Sequence, residues 1–143
     1  MGSTGEAAYL SDTEWEKVVD ISIAAVDKRV PVIVGSSELT TDGTIRRTAY
    51  ARAAGADAVM VLPVSYWALT EAEIRAHYAA ISDAVDVPIM VYNNPATSGI
   101  DMSPELIVSM YESIENVTMV KESTGDIARM QQINKLSGGN LPF

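Results

Sequence analysis

The sequence contains no cysteine and only one histidine among its 143 residues. Both a disulfide framework and a thiolate metal site are therefore excluded, and His77 alone cannot form a multi-histidine metal centre. A chain without cysteine also suits a reducing compartment. We therefore expect a cytoplasmic protein without a bound metal.

Basic residues are scarce as well. Ten lysines and arginines stand against 19 acidic residues, which gives a formal net charge of −9. This negative charge argues against both nucleic acid and an anionic membrane as partners. A small anionic substrate would need a local positive site.

Long apolar runs are missing too, because Asp, Pro or Ser interrupts each one well before the ~18 residues that span a bilayer. The first residues lack a basic-then-apolar signal pattern, and Glu6 stands where a myristoylation motif needs Ser or Thr. These features predict a soluble chain. The glycine-rich fingerprints of nucleotide-binding folds are absent as well.

What the sequence does contain is a repeat of four short apolar runs, spaced 27 to 30 residues apart. The runs are nearly continuous in apolar character, as expected for parallel strands covered on both faces. They are Pro31–Val34, Ala58–Leu62, Pro88–Tyr92 and Val117–Val120.

Helical patterns with start signals occupy the intervals. Ser11 is a candidate N-cap, Thr70 with Glu73 forms a candidate capping box, and Ser103 precedes a proline at a first turn. Asp126 opens a last amphipathic segment. The predicted order is αβαβαβαβα, with no linker, so we expect one domain over residues 1–143.

Two parallel architectures fit this order: an open doubly wound sheet and a (β/α)8 TIM barrel. The even period and the polar residues after nearly every strand favour the barrel. Because only four strands are complete, we expect a partial barrel. Gly2–Gly5 could be a loop that follows a missing strand, and Leu141–Phe143 could begin another.

Lys121 ends an apolar strand and shares its face with Val117 and Met119. If that face is the barrel interior, desolvation lowers the lysine pKa and favours the neutral amine, which attacks carbonyls to form a Schiff base. The alternative is a strand-end lysine that simply reaches into solvent.

Tyr92 ends the preceding strand, where a phenol could pass protons to and from an intermediate held by Lys121. It could equally be a packed ring with a solvated hydroxyl, and Tyr66 has the same two interpretations. The Gly2–Gly5 turn could hold a small carboxylate with its backbone N–H groups and hydroxyls, or be only a connector. We expect His77 to be a non-catalytic helix-face residue.

Four motifs in order resemble the dihydrodipicolinate synthase/N-acetylneuraminate lyase family, and the similarity extends from Gly2 to about Ile133. Each motif is weak alone, whereas the ordered set is specific. They are Gly2–Glu6, Tyr92-Asn93-x-Pro95, Ser98-Gly99 and Lys121–Asp126.

The resemblance implies a class I aldolase or lyase on a TIM barrel, which holds pyruvate or a related 2-oxo acid as a Schiff base and needs no cofactor. It implies that Lys121 is the Schiff-base lysine and Tyr92 the proton-transfer tyrosine. Gly2, Ser3 and Thr4 would bind the 2-oxo acid carboxylate, Thr4 also relaying protons. Tyr66 would complete the site of a neighbouring subunit, so a homo-oligomer is expected.

Two departures from the family pattern affect this interpretation. Thr97 replaces an arginine that clamps the second carboxylate in members that use aspartate semialdehyde, and a hydroxyl cannot replace a bidentate guanidinium. With Ser98, it is more similar to the loop of sialic-acid lyases and keto-deoxy-sugar-acid enzymes, so a hydroxylated 2-oxo acid is the expected substrate. The chain is also about half the family length, from about the loop after strand two to the start of strand seven.

The short length leaves two function hypotheses open. One is a Schiff-base lyase or aldolase. The other is a non-catalytic half-barrel that serves as a structural, self-assembling domain, since four strands leave two open edges and an apolar face.

Overall fold

The computed structural model describes all 143 residues, Met1–Phe143. Four strands alternate with helices along the chain, and two short 3-10 helices, Ser3–Gly5 and Ala7–Tyr9, precede them. The helices are α1 (Asp12–Val26), α2 (Thr41–Ala54), α3 (Glu71–Ala84), α4 (Pro95–Ser98), α5 (Pro104–Ser113) and α6 (Ile127–Leu136). The strands are β1 (Ile33–Gly35), β2 (Ala58–Val61), β3 (Ile89–Asn93) and β4 (Val117–Glu122).

The strands form one parallel sheet in the order β1-β2-β3-β4. Each strand therefore pairs with the next one along the chain, without the reversal of order that marks a doubly wound sheet. The predicted strands are confirmed to within two residues at each end. The consecutive parallel order is that of a TIM-type barrel, of which four strands are present.

The predicted helix starts are confirmed by the cap geometry. Ser11 and Glu14 form a capping box at α1, and Thr70 and Glu73 form another at α3. Ser103 caps α5, and the Asp126 carboxylate accepts a hydrogen bond from the Ala128 N–H at α6. These contacts satisfy N–H groups that would otherwise lack a partner in the first turn.

The core lies between the sheet and its helices. Alternate strand residues point to this side and are fully buried or nearly so, among them Val34, Val59, Ile89, Val91 and Val120. Tyr78 of α3 is also fully buried, and its hydroxyl donates a hydrogen bond of 2.7 Å to the Val61 carbonyl oxygen. Burial raises the Tyr78 pKa, so the phenol stays protonated. The helix-covered side is therefore a closed hydrophobic layer.

The opposite side of the sheet is open. Ile33 is 40 % exposed, and Met60, Met90 and Met119 are only half-buried. In a closed barrel these side chains would face strands across the interior, but four strands provide no such cover. Beside β4, the Val120 N–H donates a hydrogen bond of 2.9 Å to the Pro142 carbonyl oxygen. A neighbouring parallel strand would accept a hydrogen bond from β4 in the same way. No helix combines the length and apolar character needed to cross a membrane.

Candidate active site

Tyr92 and Lys121 lie side by side at the carboxyl ends of β3 and β4, where they are register partners. The Lys121 Nζ atom lies 4.3 Å from the centroid of the Tyr92 ring. Both side chains are on the open face, because they alternate with the inward residues of their strands. The structure thus brings together the amine and the phenol that the sequence singled out.

The expected shielding of Lys121 is wrong for this structure. Lys121 is exposed, although the sequence predicted apolar surroundings for its amine. The reason is architectural, since the open face lacks the facing strands that would exclude water. Tyr92, by contrast, is only 4 % exposed.

Several polar groups converge on the Tyr92 hydroxyl. Asn94 Nδ2 donates a hydrogen bond of 2.8 Å to it. Burial alone would raise the Tyr92 pKa, but hydrogen bonds with Asn94, Ser3 and Ser123 and the charge of Lys121 outweigh burial. The net result is a Tyr92 pKa below the ordinary value for tyrosine.

A cavity of about 520 Å³ opens beside Tyr92. Predicted binding residues that line it are Gly2, Ser3, Thr97 and Ser98. Thr4 and Tyr66 do not line it, nor does Lys121, which lies outside its wall. The predicted substrate-binding set is therefore gathered around Tyr92, with Thr4 as the exception.

The Gly2–Gly5 segment reaches the strand ends because of a close backbone approach. A Cβ atom on Gly35 would overlap the Met1 carbonyl oxygen, so only glycine admits the chain at this point. The segment forms a 3-10 turn in which the Gly5 and Glu6 N–H groups are already bonded. The turn precedes α1, which begins at Asp12 as the Ser11 cap predicted.

The loop after β3 uses one predicted residue for its own structure. The Ser98 hydroxyl lies 3.1 Å from the Asn94 carbonyl oxygen and 3.2 Å from that of Ile100, and it accepts from the Ile100 N–H. Thr97, by contrast, is exposed and makes no side-chain hydrogen bond. Thr97 is thus the more available of the two to a ligand.

Tyr66 stands apart from this cavity. It is 82 % exposed and packs edge-to-face on Trp67, which is 76 % exposed, with ring centroids 5.1 Å apart. His77 also lies elsewhere, in α3, where its Nδ1 is 2.9 Å from the Thr41 Oγ1. Neither residue meets Tyr92 or Lys121 within one copy of the chain.

A buried polar network behind the site was not predicted. Glu122, whose side chain is 1 % exposed, accepts hydrogen bonds from Asn93 Nδ2 and the Thr124 N–H and pairs with Arg129 Nε at 3.4 Å. Arg129 also pairs with Asp101 at 3.0 Å. The network connects β3, β4 and α6, so it fixes the strand ends that carry Tyr92 and Lys121.

The sequence held a signal for this network. Asn93 and Glu122 follow Tyr92 and Lys121 directly, so strand alternation places them on the covered side, where a polar side chain requires partners. Arg129, on the next helix, was the available cation.

A second unpredicted charge cluster lies at the far side of the cavity. Arg47 is buried, contacts Glu38 at 2.6 Å and Asp12 at 3.0 Å, and lies 5.2 Å from the centre of the Trp15 ring. Two carboxylates already balance its charge, so it is not a free anion site. Lys121, by contrast, is in none of the ion pairs of the structure. No group of three or more His, Cys, Asp or Glu residues is arranged to hold a metal ion.

These features define a parallel α/β chain of the TIM-barrel type with an amine and a phenol paired at its strand ends. The model of the dihydrodipicolinate synthetase family matches residues 1–142, and the chain belongs to that family.

Named relatives and solved structures agree with this assignment. The chain is 37 % identical over 137 residues to the 4-hydroxy-tetrahydrodipicolinate synthase of Bartonella bacilliformis, covering 96 % of this chain and 47 % of that one. It is 58 % identical to the crystal structure of a Pseudomonas aeruginosa protein provisionally described as a dihydrodipicolinate synthetase, with a TM-score of 0.97 over 99 % of this chain and 49 % of that one.

A third similar structure was solved with a ligand. The Acinetobacter baumannii dihydrodipicolinate synthase, solved in complex with pyruvate, is 34 % identical with a TM-score of 0.93, over 98 % of this chain and 48 % of that one. The chain thus spans about half the length of the relatives it matches. The predicted family and TIM-barrel fold are confirmed, whereas the comparisons give no support to a non-catalytic assembly domain.

Proposed function

We propose that Lys121 forms a Schiff base with pyruvate or a related 2-oxo acid and that the chain supplies this centre to a class I aldolase or lyase. The observation that carries the proposal is the pairing of Lys121 with Tyr92, amine over ring, at the carboxyl ends of adjacent parallel strands. Sites of TIM-type barrels lie at this end of the strands. The pyruvate complex of the Acinetobacter baumannii relative supports the substrate class.

The chemistry follows from these two groups. The neutral amine of Lys121 adds to the keto carbon to give a carbinolamine, and loss of water then leaves the imine. The Tyr92 phenol donates the proton with which the hydroxyl leaves as water, so a protonated imine and the Tyr92 phenolate remain. The protonated imine then acts as the electron sink for the carbon–carbon or carbon–oxygen bond that forms or breaks. The phenolate takes up the proton that the substrate releases in that step, which restores the phenol.

The substrate carboxylate requires a site close to this carbon. Ser3 and Gly2 line the cavity beside Tyr92 and are the proposed carboxylate ligands, with Thr4 beside them in the 3-10 turn. Lys121 supplies positive charge before it reacts. Because the amine is exposed in the four-stranded sheet, we propose that closure of the barrel by further strands increases its reactivity by excluding water.

The second substrate is the finer part of the proposal. The names of the curated relatives favour dihydrodipicolinate-type synthesis. Thr97, exposed on the cavity wall, favours a hydroxylated 2-oxo acid, because a hydroxyl pairs with hydroxyls and cannot clamp a carboxylate in bidentate fashion. Because Thr97 occupies this position, we propose that the substrate is a hydroxylated 2-oxo acid, which is cleaved or dehydrated.

Borohydride trapping tests the Schiff base directly. The chain is incubated with pyruvate and reduced, and the modified residue is located by peptide mass spectrometry. The expected result is an adduct at Lys121, absent in Lys121→Met and retained in Lys135→Met, which alters an exposed lysine of α6. An adduct spread evenly over the lysines, or none at Lys121, refutes the proposal.

A substrate-swap experiment tests the role of Thr97. Without borohydride, the chain is given either pyruvate together with aspartate semialdehyde or a hydroxylated 2-oxo acid alone, with Thr97→Arg as the comparison. We expect the original chain to prefer the hydroxylated acid and the variant to gain use of the semialdehyde. If the original chain already prefers the semialdehyde, the Thr97 argument fails.

We also propose that Tyr66 and Trp67 belong to a contact between copies of the chain. Two large aromatic side chains exposed next to each other are typical of such surfaces. Sedimentation velocity of Tyr66→Ser should show a lower association state than the original chain. An unchanged state would argue against this contact.

A further inference from the structure

We propose that Asn94 is a positioning residue for Tyr92, one that orients the phenol and stabilises the phenolate formed when Tyr92 gives up its proton. The proposal rests on the proposed function, since it assigns Tyr92 a proton-transfer role. Asn94 itself neither gains nor loses a proton in this role.

The first support is the direct contact. Asn94 Nδ2 lies 2.8 Å from the Tyr92 hydroxyl oxygen, a normal length for a hydrogen bond with the amide as donor. An amide N–H in this place favours the charged over the neutral form of the phenol. The hydrogen bond also limits rotation of the hydroxyl, so its proton is directed away from the amide.

The second support is an unused cap. Asn94 occupies the N-cap position of α4, where an asparagine side chain normally accepts a hydrogen bond from a helix N–H. Here its side chain makes no cap hydrogen bond, and its amide lies against Tyr92 instead. The Asn94 side chain therefore gives up a helix-cap hydrogen bond and makes a hydrogen bond to Tyr92 of the candidate site instead.

The third support is that the backbone of Asn94 is held in place. Its carbonyl oxygen accepts from the N–H groups of Thr97 and Ser98, each at 3.0 Å, and the Ser98 hydroxyl lies 3.1 Å away. The amide is thus presented from a bonded turn. A fixed donor needs little reorganisation when charge develops on the phenol.

Other groups around Tyr92 also favour its ionised form. Burial of Tyr92 opposes ionisation, but Asn94, Ser3, Ser123 and Lys121 together lower its pKa below the ordinary value. A phenol whose pKa lies closer to neutrality is the more effective proton donor and acceptor at physiological pH.

The test is a titration of Tyr92 in the full chain labelled with ¹³Cζ-tyrosine, with the Tyr92 signal assigned from Tyr92→Phe. We expect Asn94→Leu, which removes the donor, to raise the Tyr92 pKa by about one unit. Asn94→Asp, which keeps the shape and places a negative acceptor there, should raise it further. Asn134→Leu, on an exposed residue of α6, should leave it unchanged.

An unchanged or lower Tyr92 pKa in both Asn94 variants overturns the proposal. The isosteric aspartate keeps the test decisive if the leucine variant fails to fold. Borohydride trapping with pyruvate on the original chain separates the two proposals. Failure of the Lys121 adduct with an intact pKa shift refutes only the Schiff-base function, whereas an adduct without the shift refutes only the role of Asn94.

Discussion

The two faces of the sheet are built from the same strands, and successive residues of each strand point to opposite faces. On the helix-covered face, Val59, Ile89 and Val91 have no exposed surface, and the polar residues Asn93 and Glu122 are held in a closed network. On the open face, methionines are half-buried, and Tyr92 and Lys121 meet at the strand ends. One face therefore holds the fold together, and the other is available for chemistry.

In the pairs Tyr92/Asn93 and Lys121/Glu122, a residue of the candidate site is followed directly by a residue that stabilises the fold. In each pair the first side chain belongs to the candidate site, and the second ties the strand end to the helices behind it. Mutations one position apart should therefore have different consequences, stability on one side and reactivity on the other.

The largest effect on stability should come from the covered face. Ile89→Ala leaves a cavity in a fully buried position and should cost about 4 kcal/mol of unfolding free energy. Met90→Ala, on the open face of the same strand, should cost about 1 kcal/mol because its side chain is only half-buried. Urea unfolding measures both. Equal losses would show that the open face is covered in solution.

A smaller effect is expected from the buried network. Glu122→Ala removes the carboxylate that Asn93, the Thr124 N–H and Arg129 share, and should cost about 3 kcal/mol. Arg129 keeps Asp101, which limits the loss. Glu122→Gln should cost less, and the exposed Glu115→Ala should stay within about 0.5 kcal/mol.

Glu122→Gln also tests whether the network positions Lys121, if the rate of adduct formation is measured together with stability. At a temperature where Glu122→Gln remains folded, the rate of adduct formation at Lys121 should fall, because the end of β4 is less firmly held. An unchanged trapping rate would mean that the network stabilises the fold without positioning the amine.

The smallest effect concerns His77 and pH. Burial lowers the His77 pKa from its ordinary 6.5, so the folded chain binds the proton less readily than the unfolded chain. The stability that the chain gains from keeping His77 neutral is therefore fully present above about pH 6.5. It is lost as pH falls through the lower pKa of His77 in the folded chain. The unfolding free energy of His77→Gln should change less between about pH 7 and 5. If both chains lose stability equally, carboxylates account for the whole slope.

Much of the fold was accessible from local patterns. The apolar runs around Val59 and Ile89 predicted strands, and Ser11, Thr70 and Ser103 predicted helix starts, because caps and strand composition depend on residues a few positions apart. The motif order around Tyr92 and Lys121 also predicted their proximity, since adjacent parallel strands bring their carboxyl ends together.

The environment of those residues was less accessible. The sequence suggested a dry Lys121, yet burial depends on strands that would face it across a barrel. Nothing local to Asn94 revealed that its amide bonds to Tyr92 and leaves the cap of α4 unused. Arg129 is far from Asn93 in sequence, and only the packing of α6 against the strand ends brings them into one network.

The sequence by itself determined the alternation of strands and helices, the family, and the amine and phenol at neighbouring strand ends, because each follows from periodicity or from motifs read in order. The tertiary structure alone decided which side of the sheet is covered, which polar groups are paired behind the site, and which donor meets the phenol. Those properties depend on distances between segments far apart in the chain, and such distances are set when the helices pack on the sheet.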